Sequence, residues 1–306
     1  MRAIVTGGNG FIGSHIVDGL YQDGHDVAVM DIAPPLPSWD VPQSVVQARL
    51  DVATQQAQDF IEDYHPDVVF HLAAKASVPF SIENPVEDAR TTLLGLIHVL
   101  EGARRAKTRK IVYSSSAAVY GNPSVSMPIQ ESVDKRPISP YGVSKASGED
   151  YLRVFSSLYG LSYAALRYAN VYGPRQGLSG EGGVVAIFSK AFVKEQPVHL
   201  FGDGLHTRDY IYVQDVVRAN LLASEYVGDI VCNVSTGKQT SNQALIQTLV
   251  EVCNRQVPIL HEPERSGDVR HSALDPSLAK DTIGFESGVS LLDGIFETYS
   301  WMKRMI

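Results

Sequence analysis

Along the first half of the chain, short unbroken apolar runs alternate with longer stretches in which apolar residues recur every three or four positions. Residues 2–6 read as a strand, Gly7 to Gly10 as a glycine-rich turn, 11–23 as a helix with Phe11, Ile12, Ile16 and Leu20 on one face, and 26–30 as a second strand. The alternation continues with a strand at 45–49, a helix at 55–64, a strand at 67–72, a long helix at 85–105, a strand at 110–114, a helix at 141–159 and a strand at 162–167. Strands that are apolar throughout must be buried on both faces. The pattern therefore predicts an α/β fold of Rossmann type, a doubly wound parallel sheet that binds its ligand beyond the carboxyl ends of the strands.

After Asn170 the pattern loosens into turns, short helices and isolated strands, with four glycines between Gly177 and Gly183. This predicts a smaller, interleaved α+β lobe for substrate over residues 171–306, beside a dinucleotide-binding domain over 1–170. A helix at 213–225 and a strand at 229–234 look able to extend the first sheet. Residues 34–37 read as a local loop.

Composition narrows the classes of partner. The 306 residues carry 26 Lys and Arg against 34 Asp and Glu, a formal charge of 26 − 34 = −8, with 44% hydrophobic and 20% charged residues. That suits a compact globular chain and argues against nucleic acid, whose binders carry an excess of positive charge. No apolar run reaches the roughly 18 residues of a membrane span, and no apolar leader opens the chain. Cys232 and Cys253 lack metal-ligand spacing and read as reduced thiols of a cytoplasmic protein.

The turn between the first strand and helix has chemistry of its own. In Thr6-Gly7-Gly8-Asn9-Gly10-Phe11-Ile12-Gly13, Gly7 permits the tight turn, Gly10 lets the backbone approach a pyrophosphate and Gly13 allows close helix packing. The N–H groups at the helix start, at Phe11 and Ile12, face an anion. Asp31 lies 31 − 13 = 18 residues after the last glycine, near the spacing of about 20 for an acid that accepts hydrogen bonds from an adenosine ribose. Its charge would repel a 2′-phosphate, so the cofactor expected is NAD rather than NADP. Further on, Tyr141 and Lys145 stand four apart on one helix face, where Lys145 and an oxidised nicotinamide would both lower the phenol's pKa and make Tyr141 a base. Ser114-Ser115-Ser116 closes the strand that begins at Lys110 and brings hydroxyls to the same edge of the sheet.

Taken with His71-Leu72-Ala73-Ala74 and Ser114-Ser115-Ser116-Ala117-Ala118-Val119-Tyr120-Gly121, these motifs resemble the extended short-chain dehydrogenase/reductase family. The branch most resembled is the nucleotide-sugar 4-epimerases, typified by UDP-glucose (UDP-galactose) 4-epimerase. The likeness runs through Arg167-Tyr168-Ala169-Asn170, Phe201-Gly202-Asp203-Gly204, Thr207-Arg208-Asp209-Tyr210 and Arg265-Ser266-Gly267-Asp268. The resemblance implies that Asp51 and Val52 meet adenine, that Leu72, Ala73, Ala74 and Lys75 lie beside the pyrophosphate and nicotinamide ribose, and that Ser114 and Tyr168 join the cofactor set. It implies Ser116 as the catalytic serine, Tyr141 as the base and Lys145 as the lysine on the ribose. Asn170, Arg208 and Arg265 would hold the sugar nucleotide's diphosphate, with Asp268 near the uridine ribose. A homodimer is implied through a four-helix bundle of the helices at 85–105 and 141–159.

Departures from the family pattern sharpen the expectation. Ala117 and Ala118 replace the acid that dehydrating members carry after the catalytic serine, and Gly177 follows Gly173-Pro174-Arg175-Gln176 where glucuronate-specific members have Arg. Thr92 stands where Asn is usual. Ser272 occupies the gatekeeper position beside the sugar, where a small residue could admit N-acetylhexosamines. The expected reaction is inversion at C4 of a UDP-hexose through a transient 4-keto sugar, glucose to galactose above all. The alternatives are a nucleotide-sugar reductase or dehydrogenase with the same residues, another nucleotide-sugar epimerase, or a non-catalytic NAD-sensing protein, which Tyr141 and Lys145 argue against.

Overall fold

A computed structural model describes residues 1–177, 182–264 and 269–306. Seven strands form one parallel sheet: β1 (Arg2–Thr6), β2 (Asp26–Asp31), β3 (Val46–Arg49), β4 (Val68–His71), β5 (Lys110–Ser116), β6 (Ser162–Tyr168) and β7 (Ile230–Val234), in the order β7-β6-β5-β4-β1-β2-β3. The apolar runs are buried on both faces, as their lack of alternation requires, except in the edge strand β3, where Val46, Gln47 and Arg49 are exposed. Ala3, Val5, Val27, Val29, Val68 and Phe70 face one core, while Ile4, Ala28, Met30, Val69 and Ile111 face the other.

The first core is closed by α1 (Phe11–Gln22), with Ile16, Val17 and Leu20, and by the helix Val213–Glu225, with Val216 and Val217. The second is closed by α2 (Gln55–Tyr64) with Ile61, by the helical stretch 85–105 (α3) with Leu96, Val99 and Leu100, and by α4 (Pro140–Tyr159) with Leu152 and Phe155. β7 pairs with β6 in parallel register from Ile230↔Ala164 to Val234↔Tyr168, so the 229–234 segment does extend the sheet.

α3 is not the uninterrupted α-helix that its length suggests. It runs as Pro85–Ala89 in α form, Arg90–Leu94 as a π turn and Gly95–Arg105 in α form, with Gly95 N–H reaching back to Arg90 C=O. The wider turn carries Asp88, Thr92 and Gly95 inward, all buried. It also brings the backbone so close to Val52 that a Cβ on Gly95 would stand 2.7 Å from its Cγ2.

A third core gathers Tyr172, Phe188, Phe192, Leu200, Tyr210, Leu245 and Ile295 from the chain after Asn170, with Phe11 and Ile12 of α1 packed against it. Short strand pairs stiffen the lobe: Asn170–Tyr172 with Tyr210–Tyr212, Val198–Phe201 with Ile259–Glu262, and Thr207–Arg208 with Thr240–Ser241. Of the four-glycine stretch, residues 178–181 lie outside the described residues.

Candidate active site

The register of the sheet brings the predicted residues to one edge. Thr6 is level with His71, His71 with Tyr113, and Ser116 with Tyr168, so the ends of β1, β4, β5 and β6 share a rim. The glycine turn sits on that rim and leaves no room for a side chain at Gly7 or Gly13: a Cβ on Gly13 would stand 2.1 Å from Gly7 O, and one on Gly7, whose φ is +69°, would stand 2.8 Å from Ala73 N. Gly10 N–H closes on Gly7 C=O, and the first helical bond runs from Ser14 N–H to Gly10 C=O. The N–H groups of Phe11, Ile12 and Gly13 thus begin the helix without intrahelical acceptors.

Asp31, at the end of β2, is pinned against this turn. Its Oδ2 accepts from Asn9 N at 3.0 Å and its Oδ1 from Ala33 N at 2.9 Å, while Asn9 Nδ2 donates to Ala33 O. Burial pushes its carboxyl up and the backbone donors draw it back. Buried Asn9 Oδ1 has no partner among the described residues. Asp51 accepts from Ala53 N and from Arg90 Nη1, both within 2.9 Å, and precedes buried Val52. On the far side of the turn, Leu72 N and Ala73 N donate to Thr6, Ala74 follows, and exposed Lys75 hangs its ammonium over the Phe80 ring. A turn closed to a Cβ at Gly7 and Gly13, a row of helix-start N–H groups and a fixed carboxylate fit a dinucleotide with a free adenosine ribose.

Tyr141 and Lys145 enter from α4, which starts sharply because Ser139 Oγ caps Gly142 N at 3.1 Å and Pro140 occupies the first turn. Lys145 is 2% exposed, and its Nζ donates to Ser114 O at 2.6 Å and lies 3.3 Å from Ser114 Oγ. Its ammonium stands 4.8 Å from the centre of the Tyr113 ring and 5.8 Å from that of Tyr141. The fall in the phenol's pKa is not a property of the chain alone. Burial pushes Tyr141 up to about 12 against the hydrogen-bonding pull of Ser116, and burial pulls Lys145 down to about 7. Desolvation outweighs the attraction between neighbours here, so ionising the phenol calls for positive charge added to the site.

The substrate side is less complete. Asn170 is exposed, its N–H bonded to Asp209 O, and Arg208 Nη1 reaches Thr207 O at 2.9 Å. Ser272 joins the same ladder, its N–H donating to Thr207 O while Thr207 N donates to Arg270 O. Tyr168 spends its hydroxyl on Asn220 Oδ1 at 3.0 Å, leaving its backbone at the rim. Arg265 and Asp268 lie outside the described residues.

Residues 3–234 match the model of the NAD dependent epimerase/dehydratase family. The chain belongs to that family. Among fellow epimerase/dehydratase proteins, it is 39% identical over 302 residues to a putative UDP-glucose 4-epimerase of Methanocaldococcus jannaschii, covering 98% of each chain. It is similar to the crystal structure of UDP-glucose 4-epimerase with UDP-glucose from Thermotoga maritima, with TM-score 0.95, 42% identity and coverage of 100% and 99%. It also resembles UDP-N-acetylglucosamine 4-epimerase of Methanobrevibacter ruminantium in complex with UDP-N-acetylmuramic acid, with TM-score 0.92, 34% identity and coverage of 100% and 99%.

In this epimerase/dehydratase chain three contributors escape the sequence reading. Asn9 braces Asp31, Arg90 braces Asp51, and Asp88 lies beneath α4 with its Oδ2 on Ser144 Oγ. Asn9 had a signal, as the one polar residue in a run of glycines. The other two sit in a helix whose π turn hides their direction.

Proposed function

We propose that the protein inverts C4 of a UDP-hexose, interconverting UDP-glucose and UDP-galactose through a 4-keto sugar. The observation that carries this reading is the convergence of Ser116, Tyr141 and Lys145 on the rim that holds the glycine turn and Asp31, in a chain alike over its whole length to 4-epimerases. NAD, held by the glycine turn, Asp31 and Lys145, would supply positive charge beside the phenol and a reversible hydride acceptor for C4. Tyr141 takes the proton from the 4-hydroxyl and gives it back after the sugar has turned over, with Ser116 hydrogen-bonded to the same oxygen. Lys145 holds the nicotinamide ribose. Ala117 and Ala118 leave no acid after Ser116 for elimination, which favours epimerisation over dehydration.

Residues 1–170, with the helix Val213–Glu225 and β7, carry the dinucleotide in this reading, and most of 171–306 carries the sugar nucleotide. Asn170, Arg208 and Arg265 anchor its diphosphate, a task suited to the planar fork of Arg donors, and Asp268 meets the uridine ribose. Holding the nucleotide and leaving the hexose loosely packed is what a sugar that must turn requires. Ser272 in place of a bulky aromatic supports a second activity on N-acetylhexosamines. Incubation with UDP-galactose, UDP-N-acetylgalactosamine and UDP-galacturonate, with the products resolved, should give conversion of the first, slower or comparable conversion of the second and none of the third. Stoichiometric consumption of NADH with a 4-keto sugar would instead make the protein a reductase.

The protein works in the cytoplasm as a homodimer. The support for pairing is an apolar stripe on the outer face of α4, where Val143, Tyr151, Val154 and Leu158 are exposed at spacings of three, four and eight, with Val86 and Leu94 exposed on α3. Four such helices from two copies would bury each other's stripes. Sedimentation should give twice the chain mass, and Leu158→Glu should return it to one; a monomer at micromolar concentration sinks the idea. Two unbridged thiols support that location.

A further inference from the structure

Beneath Tyr141 and Lys145 lies a carboxyl group to which the proposed reaction gives no task. Asp88 is 0% exposed, in the first segment of α3, and its Oδ2 accepts from Ser144 Oγ at 2.7 Å. Ser144 is the residue before Lys145 on α4, so the carboxyl is tied to the turn of α4 that carries the pair. Its Oδ1 has no hydrogen-bond partner among the described residues, nor does Thr92 Oγ1 one turn along, 1% exposed. A buried carboxyl with one oxygen unspent is costly for the fold unless its charge is matched nearby.

The surroundings name the match. From β5, the Tyr113 ring lies under Lys145, and burial together with Tyr141, Glu149 and Asp88 drives its phenol far up. From β4, His71 stacks on Tyr113 and pairs Nδ1 with Thr6 Oγ1, while burial and Lys145 push its imidazole down to about 3, so it stays neutral. From β6, burial drives the Tyr168 phenol far up. Glu149, further along α4, is taken by Arg167 at 2.7 Å. Arg167 is spent on Glu149, Lys145 carries no carboxylate partner within 4.0 Å among the described residues, and the field of Asp88 raises both Lys145 and Tyr141.

We propose that Asp88 is a positioning residue for the reaction: its charge keeps Lys145 protonated and restrains the ionisation of Tyr141, and so sets the pH range over which the pair works. This rests on the reading of Tyr141 as base and Lys145 as its partner. The sign is definite. Removing a negative charge makes both the phenol and the ammonium lose their protons more readily. The two limbs of the kcat profile report the two ionisations of this coupled pair, and both therefore move to lower pH.

The test is the pH profile of kcat for the NAD-loaded enzyme. Asp88→Asn, which keeps size and can still accept from Ser144, should move both limbs down by roughly one pH unit. Ser144→Ala, which cuts the tether but leaves the charge, should lower kcat with the limbs in place. Limbs that stay put in Asp88→Asn while kcat falls overturn the proposal and leave Asp88 a packing residue. Limbs that move equally in Ser144→Ala also overturn it, because the hydrogen bond and not the charge would then be responsible. Should Asp88→Asn not fold, Asp88→Ser carries the same expectation. Tyr141→Phe separates the two levels: if it retains activity, the reading of the pair has failed, whereas an inactive Tyr141→Phe beside unmoved limbs in Asp88→Asn removes Asp88 alone.

Discussion

Tyr141→Phe should lower kcat for epimerisation by about a thousandfold, the middle of the range for losing one general acid–base group, while KM and NAD retention change little. The backbone at residue 141 is set before the side chain matters, by the Ser139 cap and Pro140 in the first helical turn. Phe fills the same space, and the neighbours of the lost hydroxyl are few: Ser116 is the group that hydrogen-bonds the phenol. Burial already disfavours the ionised phenol, so the variant should melt no lower than the parent. The loss then belongs to proton transfer alone. Ser116→Ala should cost less, because the phenol remains. A Tyr141→Phe enzyme within about tenfold of the parent kcat, measured with UDP-galactose, would exclude the phenol as the base.

What was legible in the sequence is what backbone geometry demands. Glycines at 7 and 13 are readable because a Cβ at either would run into backbone atoms, and Tyr141 with Lys145 because helical spacing alone puts them on one face. The strand starting at Arg2 and the helices at 55–64 and 213–225 have the predicted bounds, since unbroken or periodic apolar runs mark them. β5 runs two residues beyond Ser114 because the ladder to Leu166, Arg167 and Tyr168 continues through serines that carry no apolar signal. Less visible were polar residues facing inward. Asp88, Thr92, Glu149 and Arg167 look like solvated positions to any reading of periodicity, yet each is at most 5% exposed. Charge spacing predicts a fall in the Tyr141 pKa, and spacing does not reveal how far burial opposes it.

The largest effect on stability is expected at one of those hidden residues. Glu149 accepts from Arg167 Nε at 2.9 Å and Nη2 at 2.7 Å, a bidentate pair, and its Oε1 also accepts from Ser115 Oγ at 2.7 Å. Arg167 Nη1 passes on to the Tyr120 hydroxyl, which donates to Asn233 Oδ1, each at 2.8 Å. The network ties the ends of β5 and β6 to α4 one turn after Lys145, so it braces the elements that bear Ser116, Tyr141 and Tyr168. Glu149→Ala strands a buried guanidinium, for which breaking a buried pair costs about 3–5 kcal/mol; the melting temperature should fall by roughly 10 °C. The pair itself need not be a net gain over apolar packing. Glu149→Leu combined with Arg167→Met should therefore recover most of the loss, by removing both charges together. If Glu149→Ala costs under about 1 kcal/mol in denaturant titration, as exposed pairs do, the network is not what holds this edge of the sheet. If stability falls as expected but the double variant regains it without regaining kcat, then the pair aligns the catalytic rim as well as holding it.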